Sequence, residues 1–360
     1  MTSRQRVTNA LLGKPTDKLV WAPLVDDYYL HYLRKIGFDY DVSSCCAALG
    51  TDVIYRHANC LSWSFSGGVE TTRRRDGNIV WRTTTTPVGN LIDAEEFANG
   101  TSRMLEYAIK TREDIKIMQY ITEHTNVAAA YDDFIAADKA VGERGIATVS
   151  VCATPLAHLF EFVMGLENFV YFLEDYPSEM AALMDAMHES NKAQMRIAAK
   201  SPALAIFSYE DTSSTTISYD MYKKYCLNQL NDYADICKNE GKLYFVHMCG
   251  KLTAFSDLIA AGRMDGIDSC CPPSTGDIWP WDAAERFTGA SGEKVIIGGI
   301  DPTFLCTASA EELEAQLRVT ISKIKNKKVI LSTGDATAAG TPMENIRLVS
   351  RLVDELGRLS

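Results

Sequence analysis

Leu243-Tyr244-Phe245-Val246-His247-Met248-Cys249-Gly250 reads as a short apolar run that ends by delivering a histidine and a cysteine, two residues apart. In an extended chain residues i and i+2 point to the same side, so the imidazole of His247 and the thiol of Cys249 face one spot. Gly250 then lets the backbone turn sharply or approach a ligand closely. A neutral imidazole beside a thiolate is half of a tetrahedral zinc site. The alternative is a buried cysteine beside a hydrogen-bonded core histidine. Working outward, similar short apolar runs recur at Leu19–Val25, Asp52–Tyr55, Ala147–Ala153, Leu204–Tyr209, Gly266–Asp268, Val295–Gly299 and Val329–Ser332, each followed by a helical pattern. Strand alternating with helix predicts a parallel sheet. With Leu243–His247 the runs number eight, as a closed (β/α)8 (TIM) barrel requires; a doubly wound open sheet is the alternative.

The chain has 360 residues, 46% of them hydrophobic, which is ample for a large buried core. Barrels of this class often run past roughly 250 residues as one unit, so a single barrel domain over 1–360 is expected. The formal charge is -11 and no Lys/Arg-rich block occurs, which argues against nucleic acid or an anionic membrane as partner. The 10 cysteines are scattered apart from two adjacent pairs, a pattern of reduced thiols rather than of a disulfide framework. The amino terminus lacks the apolar core of a signal peptide, and no window approaches about 18 uninterrupted apolar residues. A cytoplasmic protein is expected. Residues 67–96, rich in Thr, Val and Arg around Asp76-Gly77-Asn78, break the alternation and read as an antiparallel hairpin insertion. Helices are predicted over 3–12, 113–119, 129–141, 155–175, 178–198, 219–240, 251–261, 309–325 and 342–358.

In a barrel, function sits where the strands end at the carboxyl side. The runs deliver there Asp26-Asp27-Tyr28-Tyr29, Arg56-His57, Thr154-Pro155, Tyr209-Glu210-Asp211, His247 and Cys249, Asp268 with Cys270 and Cys271, Ile300-Asp301, and Ser332-Thr333-Gly334-Asp335. Zinc takes about four ligands if structural, or three and an open position if catalytic. Cys270 lies at the next strand end from His247 and Cys249. Asp335 is the best oxygen candidate, with Glu210 and Asp268 behind it. Ordinary burial is the competing reading for the Cys270-Cys271 pair. Tyr28, Tyr29, Trp63, Tyr209, Trp279 and Trp281 are aromatic candidates for an apolar pocket, with core packing as the alternative for each. Loops that cradle nucleotide phosphates and the nucleophile elbow of hydrolases are absent from the sequence.

Several stretches together resemble the uroporphyrinogen decarboxylase superfamily and, within it, the zinc- and corrinoid-dependent methyltransferases. Arg4-Gln5-Arg6-Val7, Ala10-Leu11-Leu12-Gly13 and Asp17 are similar to the family's opening helix signature. Residues 155–177 (PLAHLFEFVMGLENFVYFLEDYP) resemble its central stretch, Val246-His247-Met248-Cys249-Gly250 its metal motif, and Thr333-Gly334 with Thr341-Pro342-Met343-Glu344-Asn345 its final block. The resemblance implies a (β/α)8 barrel holding zinc through His, Cys, a carboxylate and a second Cys. The first two carry over to His247 and Cys249. The carboxylate position falls on Cys270 and the second cysteine on Asp335, so the implied ligand set is permuted with its net charge preserved.

The decarboxylase branch fits less well. Its arginine-rich segment of R-x-P-x-W-x-M-R-Q type is missing, and Val20-Trp21-Ala22-Pro23-Leu24-Val25-Asp26-Asp27 would repel a polycarboxylate. The segments 210–218 and 272–277 lean toward O-demethylase methyltransferases. The resemblance therefore implies methyl transfer from a small methylated substrate, leaning to an aryl methyl ether, onto cob(I)alamin. The chain lacks a D-x-H-x-x-G signature, so the cobalamin is expected on a separate corrinoid protein. In this reading Glu210 or Asp211 orients the substrate or relays a proton, and Asp27, Tyr28, Tyr209 and Trp279 contact it. The alternatives are a metal-free, decarboxylase-like lyase on a small acid and a methyltransferase from methylcobalamin to a thiol.

Overall fold

A computed structural model describes residues 1–210 and 212–359. Asp211, one of the residues read as catalytic, lies outside the described residues. Seven parallel strands form a curled sheet in chain order: β1 (Val53–Ala58), β2 (Gly145–Val151), β3 (Ala205–Tyr209), β4 (Leu243–His247), β5 (Gly266–Cys270), β6 (Val295–Ile300) and β7 (Val329–Thr333). The run over 19–25 takes the eighth place. Trp21 bridges Leu331 in parallel, Ala22 N–H donates to the Leu331 carbonyl (3.0 Å), and on the other side Asp52 N–H donates to the Trp21 carbonyl (2.8 Å). It makes one bridge rather than a ladder, and Pro23 has no N–H to extend it. The α/β barrel architecture read from the alternation is the one observed.

Alternate positions along each strand separate two packed faces. Ile54, Ile146, Phe207, Phe245, Ile297 and Ile330 share one buried cluster with Val7 and Leu11 of the helix Ser3–Leu11. Phe207 and Phe245 stack there at 5.1 Å between ring centroids. This is the inward face, and the first helix plugs its amino end. Arg6 of that helix donates from Nη1 to Asp52 Oδ1 (2.9 Å) and from Nε to Asp17 Oδ1 (2.8 Å), which fixes the plug under the strands. Gly266 is small for a reason: a Cβ there would lie 2.4 Å from Phe245 Cε1. Ile206, Tyr244, Val246, Ile267, Ile296 and Leu331 point outward into the larger cluster shared with the surrounding helices.

Between β1 and β2 the chain leaves the barrel. Glu70–Asp76, Ile79–Thr86, Gly89–Ala98 and Thr101–Glu106 form a four-stranded antiparallel sheet, and Leu61–Phe65 pairs with Thr125–Ala129. The first two strands meet at Gly77-Asn78, where Gly77 has φ 61°. The sheet runs ten residues past the range read as a hairpin. Asn99 and Gly100 take φ 55° and 81°, the left-handed pair that closes a tight turn between the last two strands. Short helices Asp27–Lys35, Val42–Leu49, Pro280–Arg286 and Pro302–Thr307 add to those read from periodicity. No described helix is long and apolar enough to cross a membrane.

Candidate metal centre

Two residues beyond the apolar layer, at the carboxyl ends of the strands, the inward positions turn polar. Ile54 is followed by Arg56, Phe207 by Tyr209, Phe245 by His247, Gly266 by Asp268 and Ile330 by Ser332. The pleat alone delivers these side chains to one level of the barrel. Arg56, His247, Asp268 and Ser332 are buried there.

Asp268 links two of them. Its Oδ1 accepts from Arg56 Nη2 (3.0 Å) and Nε (3.2 Å), and its Oδ2 lies 2.9 Å from His247 Nδ1. Burial opposes the charge on Asp268, but the Arg56 guanidinium and the His247 hydrogen bond outweigh it and hold the carboxyl down at about 2. An ionised carboxylate only accepts, so the Nδ1 of His247 carries the hydrogen and Nε2 presents its lone pair. Tyr209 stacks on the His247 ring at 4.5 Å between centroids, and His57 stacks on the far face of the tyrosine system at 5.6 Å.

The exposed side of His247 faces two ligand-type groups. His247, Cys249 and Asp335 each offer a ligand atom, and the three atoms lie within 4.8 Å of one another. His247 Nε2 stands 3.8 Å from Asp335 Oδ1. Among the described residues this is the group of His, Cys and carboxylates that converges closely enough for a metal ion. Imidazole nitrogen, thiolate and carboxylate are all zinc ligands, and three of them leave a position open.

Cys270 is outside this group. Ser269 has φ 66°, and the register between β5 and β6 shifts between Ile267 and Cys270. The bulge breaks the alternation, so Ser269 joins Asp268 on the inward side, with its Oγ 3.1 Å from His247 Nδ1. Cys270 then turns outward into the core, its Sγ 3.8 Å from the Ile278 carbonyl. Burial pushes both adjacent thiols up, that of Cys271 to about 12. Cys271 packs against Gly334 and lies 3.8 Å from Asp301 Oδ2.

Glu210 is buried and points to the neighbouring strand end. Its Oε2 accepts from Thr154 Oγ1 (2.7 Å), and Oε1 accepts from Thr154 N–H. Thr154 caps the helix Pro155–His158. Asp27 opens the helix Asp27–Lys35 behind the cap Asp26, whose Oδ1 accepts from the Tyr28 and Tyr29 amides (3.1 and 3.3 Å). Burial raises the Asp26 carboxyl, the helix amides counter it, and the charges of Asp27 and Asp335 push it further up. Asp26 directly follows the run in the eighth place, so it lies at the same carboxyl end as the metal group. Asp27 lines a cavity of about 610 Å³ with Leu30, Tyr40, Val42, Tyr55 and Val141, and Tyr28 is half-buried. Trp279 stacks on Trp281 at 4.8 Å, and Lys323 Nζ sits 4.3 Å over the Trp281 ring. The sequence shows Arg56 as a strand-end residue and Asp268 as a further oxygen candidate; that Asp268 joins Arg56 to His247 depends on the closeness of β1 and β5 across the barrel.

A parallel α/β barrel with a His–Cys–Asp group at its carboxyl end is the class these observations define. The family model of uroporphyrinogen decarboxylase (URO-D) matches residues 95–356, and the chain belongs to that family. Among solved structures, a methyltransferase from Methanosarcina mazei is 13% identical over 99% of this chain and 99% of its own, with a TM-score of 0.64. A putative vitamin-B12 independent methionine synthase from Listeria monocytogenes is 11% identical over 95% of this chain and 98% of its own, with a TM-score of 0.42. No curated protein matches the chain.

Proposed function

We propose that the protein is a zinc-dependent methyltransferase. It moves a methyl group from a small methylated substrate, an aryl methyl ether in the first instance, to the cob(I)alamin of a separate corrinoid protein. The observation that carries this reading is the convergence of His247, Cys249 and Asp335 at the carboxyl ends of the strands. A nitrogen, a thiolate and a carboxylate make a donor set suited to zinc, and the open fourth position is what a catalytic site needs. Family membership supports the reading, as does a fold shared with the Methanosarcina mazei methyltransferase. The missing arginine-rich segment, with Asp26-Asp27 in its stretch, disfavours the polycarboxylate substrate of the decarboxylase branch.

Zinc bound there would act as a Lewis acid on the oxygen from which the methyl departs. The chain's own residues do the rest. His247 offers Nε2 because Asp268 holds the other nitrogen. Tyr209, stacked between His247 and His57, would meet an aryl ring with its edge. Asp27 and Tyr28, in the first turn of the helix Asp27–Lys35, would contact the substrate. Glu210, held by Thr154, ties the end of β3 to the helix Pro155–His158.

Elemental analysis of the wild type, Cys249→Ala and Asp335→Ala tests the proposal. Near one zinc per chain in the wild type and loss from both variants is the expected result. Methylation of cob(I)alamin on a purified corrinoid protein, with a methoxyphenol as donor, then tests the transfer. A wild type that takes up no zinc even after reconstitution overturns the reading.

A further inference from the structure

Arg56 is 1% exposed and lies on the opposite side of Asp268 from His247. Burying a guanidinium in a barrel is costly unless it is paired, and here it is paired with a carboxylate that is itself wholly buried. Neither group reaches solvent or the open face of the metal group. The chain of contacts runs Arg56 Nη2 and Nε to Asp268 Oδ1, then Asp268 Oδ2 to His247 Nδ1. Ser332 Oγ accepts a further bond from Arg56 Nη2 at 3.3 Å and itself donates to the Ala22 carbonyl at 2.7 Å. The guanidinium is thus tied from β1 to β5, to β7 and, through Ser332, to the segment in the eighth place. Ser269 Oγ, placed by the bulge, stands beside Asp268 at the same ring nitrogen.

We propose that Arg56 is the positioning residue of the metal centre, acting through Asp268 to fix both the ring plane and the tautomer of His247. The inference rests on the metal reading given above. Both Arg56 contacts to Oδ1 are donated, so the group at position 268 must present an acceptor to Arg56. A carboxylate has a second acceptor left for His247, which forces hydrogen onto Nδ1 and leaves Nε2 free toward Cys249 and Asp335. A histidine that ligates a metal depends in this way on the partner of its other nitrogen. Arg56 adds a constraint that a lone aspartate lacks: it fixes which oxygen faces the ring.

The constraint makes a specific forecast for Asp268→Asn. Arg56 would hold the amide with its oxygen inward, so the NH2 would face His247 and donate to Nδ1. The hydrogen would move to Nε2, the ligating nitrogen. Size and hydrogen-bond count are kept but the guanidinium loses its counter-charge, so thermal melts select the temperature at which this variant is folded. Removing the guanidinium from that background, in Asp268→Asn/Arg56→Met, frees the amide to turn over and present oxygen to His247. A purely structural role for Arg56 predicts additive damage; the relay predicts recovery of the tautomer.

Two readouts decide it. The first is nitrogen NMR of the six histidines in metal-free, histidine-labelled protein, with His247 assigned from a His247→Gln variant. The wild type should carry hydrogen on Nδ1, Asp268→Asn on Nε2, and the double variant on Nδ1 again. The second is cobalt(II) affinity and its visible spectrum, with thermal melts confirming a folded chain. Asp268→Asn should bind cobalt on the order of 10- to 100-fold more weakly, the range for loss of such a partner, with a changed spectrum. Arg56→Lys, which keeps charge but not the fork, should fall on the order of tenfold in the same direction. Wild-type tautomer and affinity in folded Asp268→Asn overturn the relay, and wild-type affinity in Arg56→Lys overturns the role of Arg56. A wild type that binds no cobalt overturns the metal reading and the inference with it, while the tautomer response on metal-free protein identifies that failure as the metal reading's own.

Discussion

Asp268 makes stability depend on acid in a way that one substitution isolates. Its carboxyl, fully buried, sits at about 2 rather than at 3.8 because Arg56 and His247 outweigh its burial. A folded-state value below the unfolded one stabilises the native protein above the unfolded value, and that contribution is lost as pH falls through the folded one. The displacement corresponds to about 2 kcal/mol near neutrality, of which roughly 1 kcal/mol is gone by pH 3. Asparagine cannot ionise, so Asp268→Asn lacks this dependence while every other carboxylate still titrates. The assay is urea unfolding of wild type and variant at intervals from pH 6 to pH 3, compared as a difference so that the shared acid response cancels. The wild type should be the more stable at pH 6, and its lead should shrink by about 1 kcal/mol at pH 3. A lead that stays constant, or grows as the solution is acidified, refutes an ionised Asp268 in the folded chain and with it the acceptor argument for His247.

Phe245 fills the inward layer beneath the polar one, against Phe207 and the bare Cα of Gly266. Phe245→Ala should cost about 3–5 kcal/mol in a denaturant titration, because the closed barrel cannot collapse around the void. Glu210→Gln should lower stability by about 1 kcal/mol through the Thr154 cap, with zinc content unchanged; a loss of zinc on elemental analysis would return Glu210 to the ligand set. Cys270→Ala should also keep its zinc, since the thiol faces Ile278. Zinc lost from a folded Cys270→Ala protein would contradict the outward orientation of that side chain.

The barrel was legible because its strands are short apolar runs set between long helical patterns, and those runs match β1 to β7 within a few residues. His247, Cys249 and Asp335 were legible for the same reason: each stands at or just past the end of such a run. What stayed hidden depends on contacts across strands. The pairing of Arg56 with Asp268 joins residues 212 apart in sequence, and a reading of strand ends cannot say which two face each other. Glu210 sits among the polar strand-end residues, yet its carboxylate turns to Thr154, the helix cap just past β2. The last strand of the antiparallel sheet, Thr101–Glu106, lies past the range read as a hairpin although Asn99-Gly100 is a sequence signal for a tight turn. Four short helices carry too few turns for periodicity to register.

Cys270, expected in the ligand group, lies outside it, and the cause is testable. The assignment assumed an extended chain from Asp268 onward, so that Cys270 would share the side of Asp268. Ser269 departs from that chain with φ 66°, a conformation that costs a residue bearing a Cβ roughly 1–2 kcal/mol and glycine almost nothing. A serine kept there against its own backbone preference must contribute through its hydroxyl, and Oγ lies 3.1 Å from His247 Nδ1. Two variants separate the effects. Ser269→Ala loses the hydroxyl and keeps the strain; Ser269→Gly loses the hydroxyl and relieves it. The glycine variant should therefore be the more stable of the two by about 1 kcal/mol, against the usual order, in which alanine outranks glycine. Both should lose the same contact with His247 and shift cobalt affinity alike. An alanine variant as stable as the glycine variant would mean that the backbone at 269 is not left-handed. The alternation would then resume, Cys270 would face inward with Asp268, and the ligand group would have to be redrawn around it.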